Sequence, residues 1–180
     1  MPNIEIKARC SDINRARDIC RSQHTQHVGL LHQVDTYYAT KHGRLKLREI
    51  NGEQAQLIPY LKDYQTGPMR SQFSVIPVTE LSIVKPLLEQ LLGVIGVIDK
   101  QREVFLLDNV RVHLDNVDNL GSFIEFEAVY DSDDALTRQQ ETAKVRALMQ
   151  AFSIREADLL DRSYIDYWLM EYANVTSSSP

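Results

Sequence analysis

The chain has 180 residues, 20 Lys+Arg against 25 Asp+Glu, a formal net charge of −5 and 43% hydrophobic residues. That length suits one globular domain with its own core, expected over residues 1–172 with a flexible tail at 173–180, and the composition excludes a disordered chain. No run of about 18 apolar residues offers a membrane span, and no secretory leader is visible, so the expected setting is cytoplasmic with no membrane partner. The two cysteines, Cys10 and Cys20, lack metal-site spacing and read as reduced thiols. A pI near 5.5 argues against a nucleic-acid partner.

Two periodicities alternate along the chain. Residues 3–9 alternate polar with apolar, a strand with Ile4, Ile6 and Ala8 on one face and Glu5, Lys7 and Arg9 on the other. Ser11 or Asp12 caps a helix predicted to about residue 27. Residues 33–39 read as a short strand and 44–50 as another, and Asn51-Gly52 turns the chain into a return strand at 54–62. A strand at 70–78 is expected to stop at Pro77.

Thr79 opens a helix to about residue 92 with Leu81, Val84, Leu88 and Leu91 as its core stripe, interrupted by Pro86. Three strands follow, at about 98–106, 110–115 and 123–130. Ser132 caps a helix to about 152, and a last helical piece covers 156–170. Tyr164, Tyr167 and Trp168 are expected to pack on the outside or at the mouth. Eight strands joined mostly by short turns predict an α+β fold: a closed eight-stranded antiparallel β-barrel with helices packed outside.

The alternation of each strand gathers charge on one face. Glu5, Lys7 and Arg9, then Arg44, Lys46 and Arg48, then Arg111, His113 and Asp115, and Glu125 and Glu127 oppose mostly apolar residues; Lys62 ends its strand, and Lys100 and Arg102 share one parity. That face holds nine basic and four acidic side chains in a chain of net −5. An open sheet with one wet face would also alternate in this way. A barrel with the charged face inward explains why cations gather in an acidic protein, provided the bore is wet and takes an anion. Glu5, Glu125 and Glu127, with Asp115, then form an oxygen-donor group of the kind Mg²⁺ or Mn²⁺ takes. The ligand implied is a polyphosphate held by Arg forks and Lys charges, since no glycine-rich phosphate loop is present.

The same residues resemble the CYTH superfamily of class IV adenylate cyclases and thiamine triphosphatases, which shares the triphosphate tunnel fold. The likeness is carried by Asn3-Ile-Glu5-Ile-Lys7, Gln33-Val-Asp35-Thr-Tyr37-Tyr38, Gly43-Arg-Leu-Lys-Leu-Arg48, Lys100-Gln-Arg102, Arg111-Val-His-Leu-Asp115 and Phe123-Ile-Glu125-Phe-Glu127. The resemblance implies Mg²⁺- or Mn²⁺-dependent work on ATP, thiamine triphosphate or tripolyphosphate, and a possible homodimer. It matches Glu5, Glu125, Glu127 and Asp115 to metal-binding acids. Lys7, Arg44, Lys46, Arg48, Lys100, Arg102 and Arg111 match triphosphate-binding cations. Glu5, Arg48 and Lys62 fall at catalytic positions. The family's ExExK signature reads Asn3-x-Glu5-x-Lys7 here, placing an amide where a carboxylate is usual.

Overall fold

The computed structural model describes residues 2–23, 25–62, 67–132 and 134–176. It contains strands β1 (Pro2–Arg9), β2 (Gln26–Tyr38), β3 (Arg44–Ile50), β4 (Gln54–Lys62), β5 (Met69–Phe73), β6 (Ile76–Val78), β7 (Val94–Leu107), β8 (Val110–Val117) and β9 (Gly121–Val129). The helices are α1 (Ile13–Ser22), α2 (Leu81–Leu92), α3 (Ala135–Ala151) and α4 (Tyr164–Thr176). Every strand pairing is antiparallel, in the order β3-β2-β7-β8-β9-β1-β5-β4, and β4 pairs again with β3 so that the order returns to its first strand. The short β6 is an addition beside β4. None of the helices among the described residues is long and apolar enough to cross a membrane.

The molecule is greasy outside the barrel wall and charged within. Ile4, Ile6 and Ala8 of β1, Val110, Val112 and Leu114 of β8, and Ile124, Phe126 and Ala128 of β9 all face outward. They pack against Ala16 and Cys20 of α1 and Val145, Leu148 and Met149 of α3. Burying this face between sheet and helices supplies the main apolar driving force. The period-2 alternation then sends the other parity of each strand into the bore. Asn51 and Gly52 take φ of 53° and 71°, the left-handed pair that a tight hairpin needs.

Several expected boundaries differ. The helix predicted to residue 27 ends at Ser22, where Thr25 Oγ1 donates to the Cys20 carbonyl, and β2 begins at Gln26 because the long β7 offers it a pairing edge. The strand predicted at 70–78 is two strands broken at Ser74-Val75, and Pro77 lies within β6 rather than ending a strand. The expected core stripe of α2 is not core. No residue of this helix is buried, and Leu91 is 72% exposed. Pro86 lies inside α2, where it removes one backbone donor. Asp134, not Ser132, caps α3, accepting from the Thr137 N–H at 2.9 Å. The last predicted helix is a 3-10 turn at Glu156–Asp158 followed by α4, which extends to Thr176; residues 177–180 of the expected tail lie outside the described residues.

The start of α4 is delivered to one end of the barrel by the chain before it. Leu160 N–H donates to the Lys7 carbonyl at 2.8 Å, using the part of the β1 edge that β5 leaves uncovered. Tyr164 and Ile165 then join Tyr37, Ile98, Val117 and Phe123 in a second apolar cluster. The close approach depends on Gly96 of β7, whose missing Cβ would stand 2.5 Å from Ile165 Cδ1 and 3.0 Å from Trp168 Cζ3.

Candidate functional site: a charged bore

A cavity of about 380 Å³ lies inside the barrel, lined by Lys46, Arg48, Lys100 and Arg102 from β3 and β7, and by Glu5, Lys7, Arg111, Glu125 and Glu127 from β1, β8 and β9. Ile58, Tyr60, Phe73 and Val75 add an apolar, aromatic section to the same lining. The charged residues arrive together because the register places them side by side. Glu5 pairs with Glu127 and Lys7 with Glu125 across β1 and β9, and Arg111 pairs with Glu127 across β8 and β9.

The wall built from β2, β3 and β7 centres on Asp35, which is fully buried. Arg48 grips both its oxygens at 2.6 and 2.7 Å, and Lys46 and Lys100 approach Oδ2 at 3.0 and 3.3 Å. Burial alone would raise the Asp35 carboxyl, but Arg48, Lys100 and Lys46 together hold it well below the usual carboxylate range. Burial pushes the Lys46 ammonium down to about 8, Arg48 adding to the fall and Asp35 opposing it. Lys100, only 2% exposed, is also held well below an ordinary lysine by burial. Lys46 also stands 5.6 and 5.8 Å from the ring centres of Tyr37 and Tyr60.

The opposite wall interleaves acids and bases. Arg102 spans from Asp115, at 2.7 and 2.5 Å, to Glu125 at 3.0 Å. Lys7 is ion-paired with Glu125, and Arg111 donates to Glu127 at 3.3 Å. Against the cost of burial, Lys7 and Arg102 hold the Glu125 carboxyl well below its ordinary value. His113 Nδ1 stands 3.8 Å from Glu125 Oε1, beyond hydrogen-bond distance, and burial with Arg102 nearby favours its neutral ring. Asn3 donates its amide to Glu127 at 2.8 Å and to Glu5 at 3.4 Å, drawing two carboxylates toward one group.

The expected residues are thus distributed unevenly. Glu5, Lys7, Lys46, Arg48, Lys100, Arg102, Arg111, Glu125 and Glu127 share the cavity. Asp115 lies behind its lining, fully buried and bonded to Arg102 and to the Tyr164 hydroxyl at 2.8 Å. Arg44 stands apart from the lining, ion-paired with Asp166 of α4. Lys62 ends β4, and its side chain lies outside the described residues.

Two contributors escaped the sequence reading. Asp35 shares the inward parity of Gln33 and Tyr37 and pairs in register with Arg48, a signal the alternation already contained. Tyr164 lines the cavity, with Lys7 Nζ 4.3 Å from its ring centre and Lys100 Nζ 5.4 Å away. Its place depends on a contact between distant segments and has no local signature.

Among the described residues no three His, Cys, Asp or Glu side chains gather into a ready-made metal cage. The donor chemistry nonetheless fits a hard divalent cation. Glu5 and Glu127 face each other across paired strands and both reach the cavity, with Glu125 beside them, and a triphosphate would bring the remaining oxygen ligands.

The fold and bore define an antiparallel barrel of the triphosphate tunnel type. The CYTH domain family profile matches residues 1–164, and the chain belongs to that family. Among solved structures it is similar to the PH1012 protein of Pyrococcus horikoshii OT3, with TM-score 0.77 and 20% identity over 91% of this chain and 98% of that one. It is also similar to a Vibrio parahaemolyticus protein assigned provisionally as an adenylate cyclase, with TM-score 0.75 and 24% identity over 91% and 95% of the two chains. A third is a proposed adenylyl cyclase from Hippeastrum, described as having a dominant triphosphatase activity, with TM-score 0.64 and 10% identity over 96% and 95%. No curated protein matches the chain.

Proposed function

We propose that this protein is a divalent-cation-dependent enzyme acting on a triphosphate in its bore, and that the reaction is of the class IV adenylate cyclase kind, ATP to cyclic AMP and pyrophosphate. One observation carries the reading: a cation-rich wall and an acid-bearing wall face the same cavity beside an aromatic section. Lys46, Arg48, Lys100 and Arg111 hold phosphate oxygens, with Lys7 and Arg102 at the boundary between the walls. Glu5, Glu125 and Glu127 hold the cation. Asp115, behind the lining, fixes Arg102 and Tyr164.

Mg²⁺ or Mn²⁺ bound there would supply charge neutralisation on the phosphates. The chain's part is to extend the triphosphate along the bore and hold the ribose toward Ile58 and Tyr60, so that the 3′-oxygen faces the α-phosphorus. Arg48 and Lys46 stabilise the charge gathering on pyrophosphate as the bond to the α-phosphorus breaks.

A hydrolytic reading, in which water attacks the γ-phosphorus of inorganic or thiamine triphosphate, uses the same seat. It is favoured by the excess of charged over apolar side chains in the lining. A binder without turnover is the third possibility, motivated by Asn3. Incubating the protein with Mn²⁺ and ATP, thiamine triphosphate or tripolyphosphate and resolving the products separates them. Cyclic AMP with pyrophosphate supports the cyclase and orthophosphate the hydrolase. Tight binding without product supports the binder, and no binding of any triphosphate refutes all three.

A further inference from the structure

Asp35 has a place in the site that its absence from the cavity lining conceals. The three cations it bonds all line the cavity, while Asp35 itself is fully buried behind them. It therefore touches no ligand. The register explains how one carboxylate reaches three cations: on β2 it lies opposite Arg48 of β3 and Ile98 of β7, so Lys46 and Lys100 flank it one pleat away. Three positive charges meet one negative charge, and the excess is aimed at the bore. Arg48 uses two of its N–H donors on Asp35, which leaves the others for an oxyanion.

We propose that Asp35 is the positioning residue of the phosphate seat: it holds Lys46, Arg48 and Lys100 in one preorganised array against their mutual repulsion while remaining outside the ligand's reach. The inference rests on the triphosphate reading above and deepens it. Without the carboxylate the three cations spread apart, and an incoming triphosphate must gather them itself. Anion binding then survives on the greater positive charge, but alignment for reaction is lost.

The array also acquires a pH signature. Lys46 faces Asp35 and Tyr37 on β2, Arg48 on its own strand, Tyr60 on β4, and Lys100 and Arg102 on β7. Asp35 is the negative charge among these that favours the ammonium form. Removing it lowers the pH at which the lysine loses its proton.

The test uses the full chain, inorganic tripolyphosphate as the binding probe without metal, and turnover with Mn²⁺ as the second readout. Asp35→Asn is expected to bind tripolyphosphate at pH 6 within about threefold of wild type, while turnover falls more than about tenfold. The alkaline loss of binding should begin about one pH unit lower than in wild type. Asp35→Glu keeps the charge but displaces it, so it should retain the wild-type pH profile and still lose turnover by about tenfold.

Wild-type turnover and pH profile in Asp35→Asn would overturn the proposal. So would affinity and turnover falling in proportion with an unmoved profile, because that is what a packing role produces. Should Asp35→Asn fail to fold, Asp35→Glu decides: turnover reduced about tenfold while tripolyphosphate affinity stays within about threefold of wild type supports the proposal, and wild-type turnover, or affinity and turnover falling in proportion, refutes it. A wild-type protein that binds no tripolyphosphate at any pH refutes the triphosphate reading instead.

Discussion

The two walls of the bore solve the problem of buried charge in opposite ways. On the β2-β3-β7 wall three cations converge on the single carboxylate of Asp35, leaving unbalanced positive charge toward the cavity. On the β1-β8-β9 wall acids and bases alternate, Lys7 with Glu125 and Arg111 with Glu127, and Arg102 reaches over from β7 to lie between Asp115 and Glu125. A balanced wall lowers the cost of burying its charges. An unbalanced wall leaves its cost standing until an anion arrives. The difference teaches where each part of a metal-bound triphosphate belongs: phosphates on the unbalanced wall, the cation where carboxylates can turn from protein cations to a metal.

Substitutions on the two walls should therefore fail in different ways. Glu127→Gln on the balanced wall should reduce Mn²⁺-dependent turnover by about 10²–10³-fold while tripolyphosphate binding without metal persists. Steady-state rates over a Mn²⁺ titration check this, and an unchanged rate means that Glu127 does not serve the cation. Arg48→Ala on the unbalanced wall should weaken triphosphate affinity itself by about 10–100-fold, from the loss of charged hydrogen bonds, and flatten its salt dependence. Calorimetry at two ionic strengths measures both; equal affinities would remove Arg48 from the phosphate seat.

Gly96→Ala probes the helix that touches both walls. The new methyl collides with Ile165 and Trp168 and displaces Tyr164, which bonds Asp115 and lies under Lys100. An overpacking cost of about 1–3 kcal/mol should appear as a lower unfolding midpoint in urea.

The pH response of the unbalanced wall is gentler and has a definite sign. Burial lowers Lys46 to about 8 and lowers Lys100 as well, so metal-free tripolyphosphate binding should be stronger at acid pH and weaken as pH rises through 8. Binding that strengthens over that interval would contradict the placement of Lys46. The smallest effect is expected of Asn3→Glu, which replaces an amide donor to Glu127 and Glu5 with a carboxylate. A metal titration should show severalfold tighter Mn²⁺ binding, from one more carboxylate beside Glu5 and Glu127.

The walls were legible in the sequence to different degrees. Strands such as Arg44–Ile50 carry a period of two through Arg48, so their charged parity could be assigned without coordinates, and the hairpin at Asn51-Gly52 placed its neighbour. Asp35 was visible as a motif residue but not as an anchor, because its role appears only once register sets it across from Arg48. The apolar stripe of α2 was legible as periodicity, yet periodicity states which residues share a face and not whether anything covers it. Leu81, Val84 and Leu88 of that stripe are only half-buried and Leu91 is exposed. Tyr164 was read as packing at the outside or mouth for a related reason: the segment that carries it to the bore docks on a β1 edge over a hundred and fifty residues away, a tertiary event without local trace.

The most direct test is a crystal structure with tripolyphosphate and Mn²⁺, using anomalous scattering to place the metal. The expected result is a chain of phosphates along Lys46, Arg48 and Lys100 with the Mn²⁺ peak between them and the carboxylates of Glu5 and Glu127. Phosphates bound on the outer surface, or a metal peak away from those two carboxylates with the bore empty, would contradict the assignment of the bore as the working site.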